Sequence, residues 1–459
     1  MTDDRRDRSG LQISRRRALT VGGAAAVSLL ASGRVPTIDS LAVSRERTVS
    51  NRPVSLQHLH DAGITGTGVD VAVLDPTGFD PNHDAIAGTI DAIRQFGDES
   101  AVVEGTSHGT AAGAAVVRLA PDARLSLASF RRPSEFVAAI EWARTRAVDV
   151  ILAPVAAHGT AATSRSAVYR AARRAVESGS VFVAPTGNAA RGHWEGPYGA
   201  LADDGSTRRR LRIRPRPGTD SIAGRFRAWL VTDPAIEIDL TLSLLRSVDD
   251  GRRWNLVALS QATEDRLGQR LVADISPGTY ALSVRPTSSD GGGSTDPGRE
   301  NPDQTGRVSV TTTTHALASP RPLGSIAAPA SVPGVIGVGV TADPGNEEST
   351  DGVAAESPSG NGVSPYSGRG PTAQGQIGVD VIAPPVPWVA EEDAGTSAAA
   401  ARAAGAAALV LDAAPTLDTA EVATLLRASA GDVGRSGRDL ASGAGRLDVT
   451  AAVQRARAR

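Results

Sequence analysis

The sequence contains no cysteine and no lysine, and these two absences exclude several kinds of chemistry. Without cysteine there is no thiol nucleophile, no disulfide and no metal site with cysteine ligands. Without lysine there is no lysine base or Schiff base, and all 48 basic residues are arginine. Aromatic residues make up only 3% of the chain while glycine numbers 49, so the core must pack small and β-branched side chains.

The charge is nearly balanced, with a formal net charge of -2 at pH 7. This balance gives no reason to expect a nucleic acid or another polyanion as a partner. A hydrophobic fraction of 41% is sufficient for a large core, which excludes a disordered or fibrous protein. A length of 459 residues predicts two or three domains.

The N-terminal segment has the pattern of an export signal. Arg15, Arg16 and Arg17 precede a short apolar run from Val21 to Ala31. That run is too short for a stable transmembrane helix but suits the apolar part of a signal peptide. Residues 1–33 therefore resemble a twin-arginine signal, with an ordinary secretory signal or a buried helix as the alternatives. Residues 34–49 are expected to be a linker, and no stable membrane span is expected after signal removal.

Two stretches alternate short apolar strands with alanine-rich helices. Val69 to Leu74 and Val148 to Ala153 are nearly continuous apolar runs, as in strands buried on both faces of a parallel sheet. The helix predicted over Phe136 to Arg146 lies between such strands. We predict an α/β fold with a doubly wound, mainly parallel sheet, built from residues 50–198 and 318–459.

Residues 199–317 follow a different pattern. Apolar residues alternate from Ile236 to Leu244, and again from Tyr280 to Val284 after the turn at Pro277 and Gly278. We predict a β-rich, β-sandwich-like insert that interrupts the α/β body.

Three motifs in the α/β stretches carry candidate catalytic residues. Asp75 follows the predicted strand at its C-terminal end, where open α/β sheets hold functional groups. His108 opens a helix of small residues, and Ser397 opens another after Gly395 and Thr396. Each has an ordinary structural interpretation as a turn aspartate, a structural histidine or a helix N-cap serine.

The three residues together match the requirements of acyl transfer. A serine hydroxyl becomes a strong nucleophile when an imidazole takes its proton, and a buried carboxylate fixes the tautomer of that imidazole. Asn188 follows the apolar strand Val181 to Ala184, and its amide is suited to donate to an oxyanion. On its own, Asn188 has the alternative interpretation of a turn residue.

At this point the chain resembles the subtilisin-like serine proteases, or subtilases, and the likeness covers the whole α/β body. The order Asp75, His108, Ser397 is that of the family, and the resemblance implies a catalytic triad with Asn188 in the oxyanion hole. It also implies substrate-binding residues at Pro154, Val155, Ala156, Thr186, Gly187 and Ala327. The motifs that carry the resemblance are Gly66-Thr67-Gly68-Val69 through Asp75, His108-Gly109-Thr110 with Gly113, and Gly395-Thr396-Ser397 with the alanine-rich helix through Gly405.

The chain also departs from the family pattern. Pro76 is an extra residue after the aspartate, and Ala398, Ala401 and Arg402 replace the usual Met, Pro and His after the nucleophile. Pro154 lies at the edge that is expected to bind substrate and has no N–H to donate to an extended peptide, although its carbonyl can still accept a hydrogen bond.

We interpret the protein as a secreted serine endopeptidase with protein or peptide substrates. The alternative is a noncatalytic binding protein on a subtilase scaffold, with the β-rich insert as its binding part. The resemblance makes calcium conceivable, but no spacing specifies a site, so no cofactor or metal is assigned. The uncharged lining around Thr186, Gly187 and Ala327 predicts a preference for apolar side chains of middling size before the scissile bond. The acidic run from Glu391 to Asp393 is either a solvated loop or a site that attracts basic residues after the cut.

Overall fold

The structure is a computed structural model that describes residues 55–159, 166–201, 210–215, 219–233, 236, 239–249, 251–263, 268–287, 306–342, 362–385 and 395–459. The predicted signal, the linker and the acidic run from Glu391 to Asp393 lie outside these residues. Within the described ranges, no helix combines the length and apolar character that a bilayer span requires.

The first part of the chain alternates strands and helices, as predicted. Strand β1 is almost entirely buried, and helix α2 begins at His108 because Ser107 caps it by accepting from the Thr110 amide. Extended apolar strands and helices with one apolar face follow one another up to β5. The elements are α1 Leu56–Asp61, β1 Asp70–Asp75, β2 Ile90–Gln95, α2 His108–Leu119, β3 Arg124–Ser129, α3 Pro133–Thr145, β4 Val150–Leu152, α4 Ala167–Glu177 and β5 Val181–Pro185.

The middle of the chain forms two antiparallel sheets of five strands each. Strand β9 lies within the alternation predicted from Ile236 to Leu244 and begins at Leu240. Strand β6 belongs to these sheets and starts at His193, ahead of the predicted boundary at residue 199. The strands are β6 His193–Pro197, β7 Leu211–Arg214, β8 Gly224–Thr232, β9 Leu240–Ser247, β10 Trp254–Leu259, β11 Gln261–Ala262, β12 Gln269–Ile275, β13 Tyr280–Pro286, β14 Arg307–Thr312 and β15 Ala316–Leu317.

The last part of the chain returns to the first sheet with β16 Ile336–Val340 and β17 Val381–Ala383, followed by α5 Thr396–Ala413, α6 Thr419–Ser429 and α7 Val449–Arg457. The completed sheet has seven strands in the order β17-β16-β5-β4-β1-β3-β2, and every neighbouring pair is parallel. The predicted α/β fold with a doubly wound parallel sheet is confirmed. All carboxyl ends of the strands therefore meet at one edge.

Alternate residues of β1 point to opposite faces of this sheet, and each face has its own core. Val71 and Val73 pack with helices α2 and α5, whereas Ala72 and Leu74 pack with α3 and α4. A third core lies among the antiparallel strands and draws its buried residues from Trp194 to Leu317. The two kinds of sheet thus have separate apolar interiors.

Candidate active site

The carboxylate of Asp75 and the imidazole of His108 meet at the carboxyl edge of the parallel sheet. Asp75 ends β1 and is fully buried, and its Oδ2 lies 2.6 Å from Nδ1 of His108, the first residue of α2. The side chain of His108 is 25% exposed, so part of the ring is accessible from solvent. An ionised carboxylate only accepts, so Nδ1 is the donor and Nε2 is left as the acceptor of the neutral ring.

Thr77 holds the other oxygen of Asp75, in spite of the extra residue Pro76. Its backbone N–H and its hydroxyl both donate to Oδ1 of Asp75, at 2.9 and 2.7 Å. The same hydroxyl accepts from the backbone N–H of Gly109 at 2.9 Å. Thr77 therefore links the aspartate to the helix that carries His108, a role that the sequence interpretation did not assign.

The helix approaches Asp75 closely because position 109 has no side chain. A Cβ on Gly109 would lie 2.5 Å from the carbonyl oxygen of Gly78 and 3.0 Å from Cβ of Asp75. Any larger residue would push α2 away from β1. The Gly in the His108-Gly109 pair is thus a requirement of the 2.6 Å contact between His108 and Asp75.

Ser397 is the second residue of α5, which begins after Gly395. It is partly exposed, and its hydroxyl donates to the carbonyl oxygen of Pro154 at 2.8 Å. Pro154 follows β4, so this bond joins the helix of the serine to the edge that is predicted to bind substrate. The proline carbonyl is available as an acceptor, as expected from the sequence.

Asn188 follows β5 and is exposed, and its side-chain amide is held in one orientation by Thr396. The backbone N–H and the hydroxyl of Thr396 both donate to Oδ1 of Asn188, at 3.0 and 2.8 Å. Because Oδ1 accepts these bonds, Nδ2 is the end of the amide that is left to donate elsewhere. A Cβ on Gly395 would lie 2.5 Å from Nδ2, so glycine is required beside it.

The other predicted substrate-binding residues surround the same end of the sheet. Ala156 and Ala327 both face Gly187, whose φ of +97° lies in the region that favours glycine. Thr186 is fully buried and accepts from the Ala327 N–H through its carbonyl. The side chain of Val155 points the other way and packs against the core shared with α3 and α4.

Arg402 replaces the histidine of the family pattern on α5. It is partly buried, and burial, with smaller contributions from Arg446 and Arg118, lowers its pKa. It lies on the same helix, five positions after Ser397. In the part of the chain that the structure describes, no three histidine, aspartate or glutamate side chains are grouped to hold a metal ion, and calcium stays unassigned.

Comparisons with known proteins support this fold and family. The model of the Subtilase family matches residues 288–445, a range that includes Ser397. The Clostridium perfringens CspB protease shares the fold, with a TM-score of 0.58 and 16% identity over 88% of this chain and 97% of that one. Fervidolysin from Fervidobacterium pennivorans, a keratinolytic enzyme related to subtilisin, matches with a TM-score of 0.45 and 18% identity, over 87% of this chain and 44% of that one. A search of curated proteins finds no match.

The family match covers the serine motif, and the seven-stranded parallel sheet carries the aspartate and histidine motifs in the same order along the chain. Residues 288–445 thus match the Subtilase family, and the described part of the chain has the fold of the CspB protease.

Proposed function

We propose that the protein is an exported serine endopeptidase in which Ser397 attacks the substrate carbonyl, His108 transfers the proton and Asp75 holds the imidazole. The observation that carries the proposal is the 2.6 Å contact between His108 and the fully buried Asp75. Such a carboxylate fixes the tautomer of the ring and stabilises the imidazolium formed during attack.

Asn188 is the proposed oxyanion donor. Thr396 fixes Oδ1 of the amide, so Nδ2 is free to donate to the negative oxygen of the tetrahedral intermediate. The backbone N–H of Ser397, at the start of α5, is the second donor in this proposal. Collapse of the intermediate breaks the C–N bond, and the His108 imidazolium gives its proton to the leaving amine, which leaves an acyl-enzyme. Water then hydrolyses the acyl-enzyme, with His108 again acting as the base.

Substrate binding also has a proposed role in freeing the nucleophile. The Ser397 hydroxyl donates to the carbonyl of Pro154, an acceptor that an extended substrate would also use. A substrate N–H that takes this carbonyl displaces the hydroxyl, which is then able to turn towards Nε2 of His108. Substrate binding and activation of the Ser397 hydroxyl are thereby coupled through the carbonyl oxygen of Pro154.

Two variants test the catalytic assignment. We expect Ser397→Ala and His108→Ala each to lower kcat by about 10⁶-fold, because the pair acts as a unit. His58→Ala, on the exposed side of α1, is the matched control and should keep full activity. Labelling of Ser397 by a fluorophosphonate, followed by mass spectrometry, distinguishes the protease from a noncatalytic binding protein on the same scaffold. An unlabelled wild-type protein, or comparable activity in the Ser397 variant, contradicts the proposal.

Export through the twin-arginine route is a separate part of the proposal. Arg16 belongs to both arginine pairs of the Arg15-Arg16-Arg17 run, so Arg16→Gln leaves no adjacent arginine pair in that run. Fused to a folded reporter, residues 1–49 should direct export only in cells that have the twin-arginine route. Arg16→Gln should abolish this export, while Arg5→Gln should not. Export in cells that lack the route would indicate an ordinary secretory signal.

A further inference from the structure

A narrow gap lies beside the nucleophile, between the segment after Pro154 and the residue before Asn188. A methyl group placed on Gly187 would lie 3.4 Å from Cβ of Ala156, 3.4 Å from Cβ of Ala327 and 3.5 Å from Cε1 of His158. These are ordinary van der Waals distances, so the three side chains leave room for about one methyl group. In the proposed mechanism the side chain before the scissile bond has to enter between these two segments.

The walls of the gap are tied together by backbone hydrogen bonds. Ala157 donates to the carbonyl of Ala328 at 2.7 Å, and Ala327 donates to the carbonyl of Thr186 at 3.0 Å. The carbonyl of Gly187 accepts from Gly368 at 2.7 Å. Widening the gap would require at least one of these bonds to break, so its width is a fixed property of the site.

The His158 wall is supported by the β-rich region. Trp229 lies on the outer face of β8 between Arg227 and Val231, and its ring centroid is 5.6 Å from that of His158. The Trp229 ring also packs on Gly159, since a Cβ there would be only 2.1 Å from Cδ1. A Cβ on Gly268, just before β12, would be 2.3 Å from the Gly159 carbonyl oxygen, so the turn is enclosed from two sides.

We propose that the enzyme cleaves after residues with small side chains, namely glycine, alanine or serine, and that Trp229 and His158 determine this specificity. Trp229 keeps His158 against the gap, so the β-rich region sets the width of a subsite in the α/β body. The inference rests on the proposed function. It replaces the expectation, drawn from the uncharged lining, of a pocket for side chains of middling size.

Hydrolysis of succinyl-Ala-Ala-Ala-X-4-nitroanilide by the full chain tests the proposal, with Ala, Leu or Phe at X. The kcat/KM for Ala should exceed that for Phe by about 100-fold or more, because one misfitted methylene already costs 10-fold or more. Fluorophosphonate labelling of Ser397 is measured alongside. A labelled protein that prefers Leu or Phe overturns the specificity inference alone, whereas a protein that is neither labelled nor active overturns the proposed function, and this inference with it.

Variants test the role of each wall. Ala156→Gly removes a methyl group from the gap and should raise the kcat/KM ratio of Leu to Ala about 10-fold. Trp229→Ala releases His158 and should raise the same ratio. Trp254→Ala is the matched control, because Trp254 stacks on Arg210 and Arg212 in the other antiparallel sheet, and it should leave the ratio unchanged. If Trp229→Ala does not fold, Ala156→Gly and His158→Ala decide, and an unchanged ratio in both overturns the proposal.

Discussion

At the scale of single residues, hydrogen bonds fix the orientation of Asp75 as well as that of His108. Thr77 gives two hydrogen bonds to Oδ1 of Asp75 while its hydroxyl accepts from the first turn of α2. Because Asp75 is fully buried, a lost donor leaves part of its charge without compensation. Thr77 is thus a positioning residue that acts through Asp75.

We expect Thr77→Val to lower kcat by roughly 10- to 100-fold with little change in KM, since a hydrogen bond to a charged group is worth about 1.5–3 kcal/mol. Thr77→Ser keeps the hydroxyl and should restore most of the activity. Steady-state kinetics of both variants test this role. Equal losses in the Val and Ser variants would mean that packing of the threonine methyl, and not its hydroxyl, matters.

Asn188 and Thr396 form a second hydrogen-bonded pair, and substitutions of the two residues should differ in their effect on kcat. Asn188→Ala should lower kcat by roughly 10²- to 10³-fold with little change in KM, because the oxyanion forms only after binding. Thr396→Val keeps the backbone bond to Oδ1 and loses the hydroxyl bond, so its effect on kcat should be smaller. An effect of Asn188→Ala confined to KM would reassign Asn188 to substrate binding.

The sequence predicted residues whose roles are marked by local pattern, and the structure brings Asp75 and His108 together. The sequence did not predict the hydrogen bonds from Thr77 to Asp75. The backbone conformation at Pro76 determines which carboxylate oxygen the Thr77 hydroxyl contacts. The bond from Ser397 to Pro154 joins residues 243 positions apart and has no local signal. The contact between His158 and Trp229 also has no local signal, because it depends on how two sheets pack.

At the scale of elements, the end of α5 anchors the loop that leads into β1. Oδ2 of Asp412 accepts from the backbone N–H groups of Thr65, Gly66 and Thr67, at 2.9, 2.9 and 3.3 Å. A carboxylate in the last turn of a helix is unfavourable for the helix dipole, so these three donors explain its presence. The helix that carries Ser397 thus ends at the entry to the strand that carries Asp75.

We expect Asp412→Ala to lower the free energy of unfolding by about 1–3 kcal/mol, because backbone donors are left without a partner. Asp418→Ala removes the capping side chain of α6 and is a matched control, with an expected loss of about 1 kcal/mol. Urea denaturation followed by circular dichroism measures both. A smaller effect at Asp412 than at Asp418 would contradict the anchoring role.

Two histidines, the buried His193 and the partly buried His158, lie near each other, and their surroundings disfavour the charged form of each ring. Burial lowers the pKa of His158 to about 4. Burial and, to a smaller extent, electrostatic repulsion from His158 lower the pKa of His193 to about 3. The unfolded chain binds both protons near pH 6.5, while the folded chain does not. The stability that they contribute is therefore complete above about pH 6.5 and declines as the pH falls towards about 4.

We expect each histidine to make the free energy of unfolding fall by at most about 1.4 kcal/mol per pH unit within this window. Denaturation at pH 7, 6, 5 and 4.5 measures the slope for the wild-type protein and for His158→Asn. The variant should show a shallower slope, because it removes one titrating group. Equal slopes in the wild-type protein and in His158→Asn would contradict the assignment.

At the scale of the whole molecule, the antiparallel strands have an apolar core of their own. Its residues, from Trp194 to Leu317, are distinct from those that pack on either face of the parallel sheet. The alternating pattern predicted a β-rich region, because period-two burial is local. The sequence could not predict that β6 belongs to it, since the pairing of β6 with β14 joins residues more than a hundred positions apart.

Separate cores predict that the two regions respond independently to cavities. Leu282 on β13 and Leu127 on β3 are both fully buried, one in each kind of core. Replacement of either by alanine should cost about 2–5 kcal/mol. Calorimetry should resolve two transitions, of which Leu282→Ala lowers the one that belongs to the antiparallel sheets and Leu127→Ala the other.

The same pair of variants connects stability to specificity. When Leu282→Ala is warmed past the shifted transition of the antiparallel sheets, it should keep its Ser397 labelling but lose its preference for small side chains, because Trp229 then no longer supports His158. Leu127→Ala should lose labelling and preference together, since β3 pairs with β1 and β1 ends in Asp75. A single shared transition in both variants would mean that the interface around Trp229 makes the chain one cooperative unit.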